Sequence, residues 1–187
     1  TGLAATMARS SVMVGGSVPP RTEVTQDTTV LSSHDASWSP VFGSTGDMTA
    51  CGAGWKGTGQ AFIQFDHDRI PEAATAVHLN LYTLAGDDVY GVGTMLDVLR
   101  VATNWSESTT QWISRPVLAE SHGNFTVLPG GTEGWVRIPV TSLVKTWQKG
   151  TYPNRGVALW GVTQTQVGCR VYASRESAGK QPYVSWE

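Results

Sequence analysis

Between residues 76 and 84 apolar and polar positions alternate: Val77, Leu79 and Leu81 fall on one side of an extended chain, His78, Asn80 and Tyr82 on the other. A period of two marks a half-buried β-strand. The stretch 60–66 repeats the pattern, with Ala61, Ile63 and Phe65 alternating with Phe62, Gln64 and Asp66 before Ile70-Pro71 closes the unit. In 134–140, Val136, Ile138 and Val140 point inward and leave Trp135 and Arg137 outward. Further strands are expected at 27–31, 95–101, 156–162, 169–173 and 182–186, whereas the stretch 42–59 is rich in Gly, with Trp55 among the glycines. One short helix fits: Thr141-Ser142 as its cap, Leu143, Val144 and Trp147 on one face, Lys149-Gly150 at its end. Many strands with turn signals between them and a single helix predict an all-β fold, an antiparallel β-sandwich of jelly-roll type.

Trp105-Ser106-Glu107-Ser108-Thr109-Thr110-Gln111-Trp112 sets two indoles around a polar bridge without Gly or Pro. Ser and Thr bond readily to nearby backbone, so the stretch reads as a tight scaffold connection with both indoles packed on strands. Residues 1–21 are small and polar and end in Pro19-Pro20, a linker or N-terminal arm; 22–187 form one β-sandwich module. The Thr at position 1 suggests a processed or excised piece of a multidomain protein.

Composition narrows the function classes. The 187 residues suit one domain with a sizeable core, and a net charge of −2 excludes a protein held to nucleic acid by charge alone. No apolar run approaches the roughly 20 residues of a membrane span, so no membrane insertion is expected. Cys51 and Cys169 lie far apart. A disulfide between them would close a long loop, contribute about 3–5 kcal/mol in the chain-entropy model, and imply a secreted or cell-surface setting. The alternative is two buried free thiols; no CxxC or Cys/His spacing suggests a metal site.

Several segments, in order, resemble the DNRLRE-type domain, carbohydrate-binding module family 96. They are Asp27-Thr28-Thr29-Val30, then Ala61-Phe62-Ile63-Gln64-Phe65-Asp66 with Ile70-Pro71, then Trp105-Ser106-Glu107-Ser108-Thr109 with Trp112. Val140-Thr141-Ser142-Leu143-Val144 with Trp147 follows, then Asn154-Arg155-Gly156-Val157-Ala158-Leu159, Ala173-Ser174-Arg175-Glu176 and Pro182-Tyr183-Val184. The name-giving hexapeptide does not occur, and the stretch around Cys51 and Trp55 looks like a local addition. The resemblance implies a non-catalytic β-sandwich that targets an attached enzyme or surface protein to a polysaccharide, including acidic ones such as alginate. The rival readings are a structural or adhesive spacer of a large surface protein, and a polysaccharide lyase.

Sugar recognition needs flat apolar platforms for pyranose faces, flanked by hydrogen-bonding groups, and uronates additionally need Arg or Lys. Of the eight tryptophans, Trp105, Trp112, Trp147 and Trp186 are assigned to packing. Trp38, Trp55, Trp135 and Trp160 remain as candidate platforms. His78, Asn80 and Tyr82 on one strand, with Trp135 and Arg137 on another, make the better constellation if the two strands share a sheet. Arg175-Glu176 reads as a local ion pair. Asp66-His67-Asp68 suggests a metal, but in a strand Asp66 and Asp68 share one face while His67 points away, and no fourth ligand is in view. Asp87-Asp88 is compatible with a structural calcium yet supplies few of its oxygens; no other cofactor is expected. Catalysis has little support: no nucleophile elbow, P-loop or HExxH occurs. Carboxylates about 5–10 Å apart, as a glycosidase needs, cannot be paired from sequence.

Overall fold

The computed structural model describes residues 19–32, 42–51, 58–84, 94–127, 133–161 and 169–187. Among them run ten strands: β1 (Arg21–Leu31), β2 (Asp47–Cys51), β3 (Gly59–Phe65), β4 (Val77–Thr83), β5 (Thr94–Val101), β6 (Leu118–Val127), β7 (Gly134–Pro139), β8 (Val157–Gly161), β9 (Cys169–Ala173) and β10 (Tyr183–Trp186). Helix α1 (Thr141–Gln148) follows β7. The pairing is antiparallel throughout, giving the all-β sandwich with one short helix that the alternation predicts.

One layer is centred on β4, with β7 on one edge and β10 then β9 along the other; β2 extends it beyond β9. The second layer runs β1-β3-β8-β5-β6. β1 belongs to both: Arg21, Thr22 and Glu23 pair with β10, and from Val24 onward the strand pairs with β3, with the register slipping between Val24 and Gln26. Two corrections concern elements. β2 lies inside the Gly-rich stretch, where the pattern predicts no strand, and it predicts none at β6 either. A third concerns the first strand, which begins at Arg21 rather than Asp27, so that residue leaves the expected linker.

Val77, Leu79 and Leu81 of β4 face Ala61, Ile63 and Phe65 of β3 and Val157 and Leu159 of β8 within one buried cluster. Burial of this apolar surface is the main stabilising contribution to the sandwich. β3 is buried on its other face too, because Phe62, Val30, Val101 and Ala158 pack under Trp105, Trp112, Leu99 and Leu118. The Trp105 indole donates to Arg155 O at 2.8 Å and lies 5.9 Å from Phe62. Thr110 Oγ1 donates to Ser106 O at 2.7 Å, closing the connection as its hydroxyls suggest. The expected helix cap is corrected: Val140 is the N-cap without a side-chain bond. Thr141 Oγ1 instead accepts from Val77 N at 2.8 Å, tying α1 to β4. Leu143, Val144 and Trp147 are buried, with Trp147 edge-on to Phe65 at 5.5 Å.

Cys51 and Cys169 form a disulfide and stand opposite each other in the β2–β9 pair, 118 residues apart in sequence. The described residues contain no helix long and apolar enough to cross a membrane.

Candidate functional site

The outer face of the β4 layer collects polar and aromatic side chains because alternate residues of each strand point away from the core. Register decides which of them meet. Tyr82 pairs with Trp135, Asn80 with Arg137 on one side and Tyr183 on the other, and His78 with Pro139 and Ser185. Trp135 is the exposed member, 45% accessible. Its ring meets Tyr82 at 5.4 Å and 85°, and Tyr183 at 5.1 Å and 67°. Both contacts are edge-to-face, the arrangement that ring quadrupoles favour. They hold the indole in place while leaving part of it open to a ligand.

Charges rim this cluster. Lys180 Nζ sits 4.5 Å from the Tyr82 ring centroid and 3.4 Å from Glu133 Oε2, which also accepts the Tyr82 hydroxyl at 3.2 Å. Arg21 lies over Tyr183 at 5.4 Å. Arg137 donates to Glu187 Oε1 at 2.8 Å and to His78 Nδ1 at 3.1 Å. Since guanidinium only donates, His78 Nδ1 accepts, and the ring is a neutral Nε2–H tautomer. Burial, followed by the Arg137 charge, holds the His78 pKa below 6.5, with Glu187 opposing. The same hydrogen bond keeps Glu187 below the usual carboxylate range.

Beside Trp135 opens a cavity of about 330 Å³, walled by Tyr183, Gln181, Arg21, Glu23 and Arg175. Arg175 is already held: its guanidinium bonds Glu107 and lies 3.2 Å from Glu176. Its backbone N–H donates to buried Asp27 at 2.8 Å. Burial is the main reason the Asp27 pKa is pushed up to about 7; the Arg175 N–H bond opposes it, and Glu176 and Glu107 add to it.

The structure thus brings His78, Tyr82, Trp135 and Arg137 onto one face. Asn80 needs correction. It points to the same side but is only 3% exposed, and its amide donates to His78 O, Tyr183 O and Ser185 Oγ at 3.0 to 3.3 Å. It fastens β4 to β10 beneath the aromatics instead of presenting a free amide to solvent. Trp160 is also apart, half-buried on β8 opposite Gln60 and Asp97 in the other layer. Trp38, Trp55 and Asp87-Asp88 lie outside the described residues. Sequence reasoning missed Tyr183, Arg21 and Lys180. Only Tyr183 carried a signal, its alternation with Val184 inside a recognised strand.

Asp66, His67 and Asp68 bring ligand atoms within 4.8 Å of one another, but each already has a protein partner. Asp66 accepts from Asp68 N at 3.0 Å and faces Arg69 at 3.4 Å; His67 Nδ1 accepts from Asn154 at 3.2 Å, and its Nε2 lies 3.5 Å from Asp68. The group acts as a turn brace. Of the aromatics on this face Trp135 is the exposed one, with Lys180 and Arg21 against its neighbours Tyr82 and Tyr183.

Compared with known families, residues 20–186 match the sequence profile of carbohydrate-binding module family 96. No curated protein matches the chain.

Proposed function

Because the chain belongs to carbohydrate-binding module family 96, whose members bind sugars without catalysis, we propose that it holds a polysaccharide on the outer face of β7, β4 and β10. The observation that carries this reading is Trp135, exposed and fixed edge-on between Tyr82 and Tyr183 beside a cavity. A pyranose ring stacks its C–H face on the indole, while Arg137, Lys180 and Gln181 reach its hydroxyls. An acidic polymer such as alginate fits best. Arg137, Arg175 and Lys180 each already have a carboxylate partner, whereas Arg21, among the described residues, has only the Tyr183 ring. A uronate carboxylate beside Trp135 satisfies Arg21 with a charge-assisted bond.

Such a module serves to keep an attached enzyme or surface protein on its polymer. The Cys51–Cys169 disulfide fits a secreted or cell-surface setting, since such bonds persist in oxidising compartments. Affinity electrophoresis against alginate and a panel of neutral glycans tests the reading. Retardation by alginate that disappears in Trp135→Ala supports it; unretarded migration in every polymer overturns it.

A further inference from the structure

β1 changes layers midway, and this leaves a bare edge. Residues 21–23 pair with β10 only, and pairing with β3 starts at Val24 opposite Phe65. Among the described residues no strand borders 21–23 on the side of the 66–69 turn, so backbone N–H and C=O groups there have no ladder partner. A second cavity, of about 360 Å³, lies along this edge, lined by residues 21–25 together with Asp66 and Arg69. It shares Arg21, Glu23 and Val24 with the cavity beside Trp135. The two hollows adjoin at these three residues of β1, each near the lower end of the roughly 300–1,000 Å³ typical of ligand pockets.

We propose that the polysaccharide site is a groove crossing β1: the sugar stacked on Trp135 is followed by further units of the same chain, which run over Arg21 to a second subsite at Asp66 and Arg69. The module therefore grips the interior of a polymer and not a lone sugar. The inference rests on the reading of the Trp135 face as the glycan-stacking surface.

The chemistry of the second subsite suits hydroxyls. Asp66 and Arg69 are paired at 3.4 Å with side chains 42% and 73% accessible, so acceptor and donor stand side by side where a sugar's neighbouring hydroxyls can meet both. Arg69 balances Asp66, so this subsite recognises a polyol irrespective of its charge. The bare backbone edge adds further donors and acceptors. An extended peptide also pairs with bare edges, but it needs a longer run than 21–23 and pockets for alternate side chains, which this charged hollow does not offer.

The test is titration calorimetry of the full chain with alginate oligomers of stepwise increasing length, and cello-oligosaccharides as a neutral series. Wild type is compared with Arg69→Ala and Trp135→Ala; both are surface changes, and circular dichroism verifies folding. The expected result is affinity that climbs with length and a several-fold loss in Arg69→Ala for long oligomers only, while Trp135→Ala weakens every length. Length-independent affinity, or long-oligomer binding unchanged in Arg69→Ala, overturns the groove and leaves the Trp135 face standing if Trp135→Ala still weakens binding. Absence of binding in both series, or binding indifferent to Trp135→Ala, overturns the stacking face and the groove with it.

Discussion

Trp135 stands directly across the β7–β4 pair from Tyr82, and their rings meet at 85° with centroids 5.4 Å apart. Together with Tyr183 this makes a platform whose orientation is fixed before any ligand arrives. Replacing Trp135 with Ala removes the platform and both edge-on contacts. Glycan affinity should fall at least tenfold, and stability by about 1–3 kcal/mol, since each of the two aromatic pairs contributes about 0.5–1.5 kcal/mol. Affinity gels and urea denaturation read the two effects separately.

Arg21→Ala should act on charge and not on stacking. Affinity for alginate is expected to drop about fivefold, equivalent to roughly 1 kcal/mol for a solvent-exposed charge-assisted bond. Its salt dependence should flatten, with neutral glycans unaffected. Binding isotherms at two ionic strengths show this; an unchanged salt response would remove Arg21 from the site.

Asp27 makes stability depend on pH in an uncommon direction for a carboxylate. Its pKa is about 7 in the fold against an ordinary 3.8, so the folded state holds the proton more tightly than the unfolded chain. Its favourable contribution is complete below about pH 4 and is lost as pH rises towards 7. At about 1.4 kcal/mol per pKa unit, the loss reaches at most about 4 kcal/mol. Asp27→Asn keeps an acceptor for the Arg175 N–H and cannot ionise. It should match wild type near pH 4 and exceed it at pH 8, as urea midpoints across this range would show.

Removing the Cys51–Cys169 link, by reduction or by paired Ser substitutions, should cost about 3–5 kcal/mol because it constrained a long loop in the unfolded chain. Denaturation with and without reductant measures it, and the doubly substituted chain should become indifferent to reductant.

Gly156 has φ +87, and a Cβ there would lie 2.5 Å from Ile63 O. Backbone conformation and contact both demand glycine. Gly156→Ala should destabilise by roughly 2–4 kcal/mol, read as a lowered melting temperature.

What could be read from the chain followed burial. β4 and β7 announce themselves because each has one greasy and one wet face, and the wet faces held His78, Tyr82, Trp135 and Arg137. β2 and β6 were hidden for opposite reasons. The residues of β2 sit among glycines that resemble a loop. β6 is an edge strand whose Glu120, Ser121, Asn124 and Thr126 are exposed and interrupted by Gly123, so no clean period survives. Asn80 shows the limit of alternation: period two gives the side to which a residue points, but its cover comes from β10, more than a hundred residues away. Arg21 reads as linker because nothing local signals that its strand starts in one layer and finishes in the other.

That shared strand has a mechanical consequence. The eleven residues of β1 are bonded into both leaves of the sandwich, so peeling either leaf away tears the same seam. Neither leaf can soften alone, and a pull transmitted from an anchored polymer would spread across the whole body. On the proposed holding role, a body that opens in one step suits a tether.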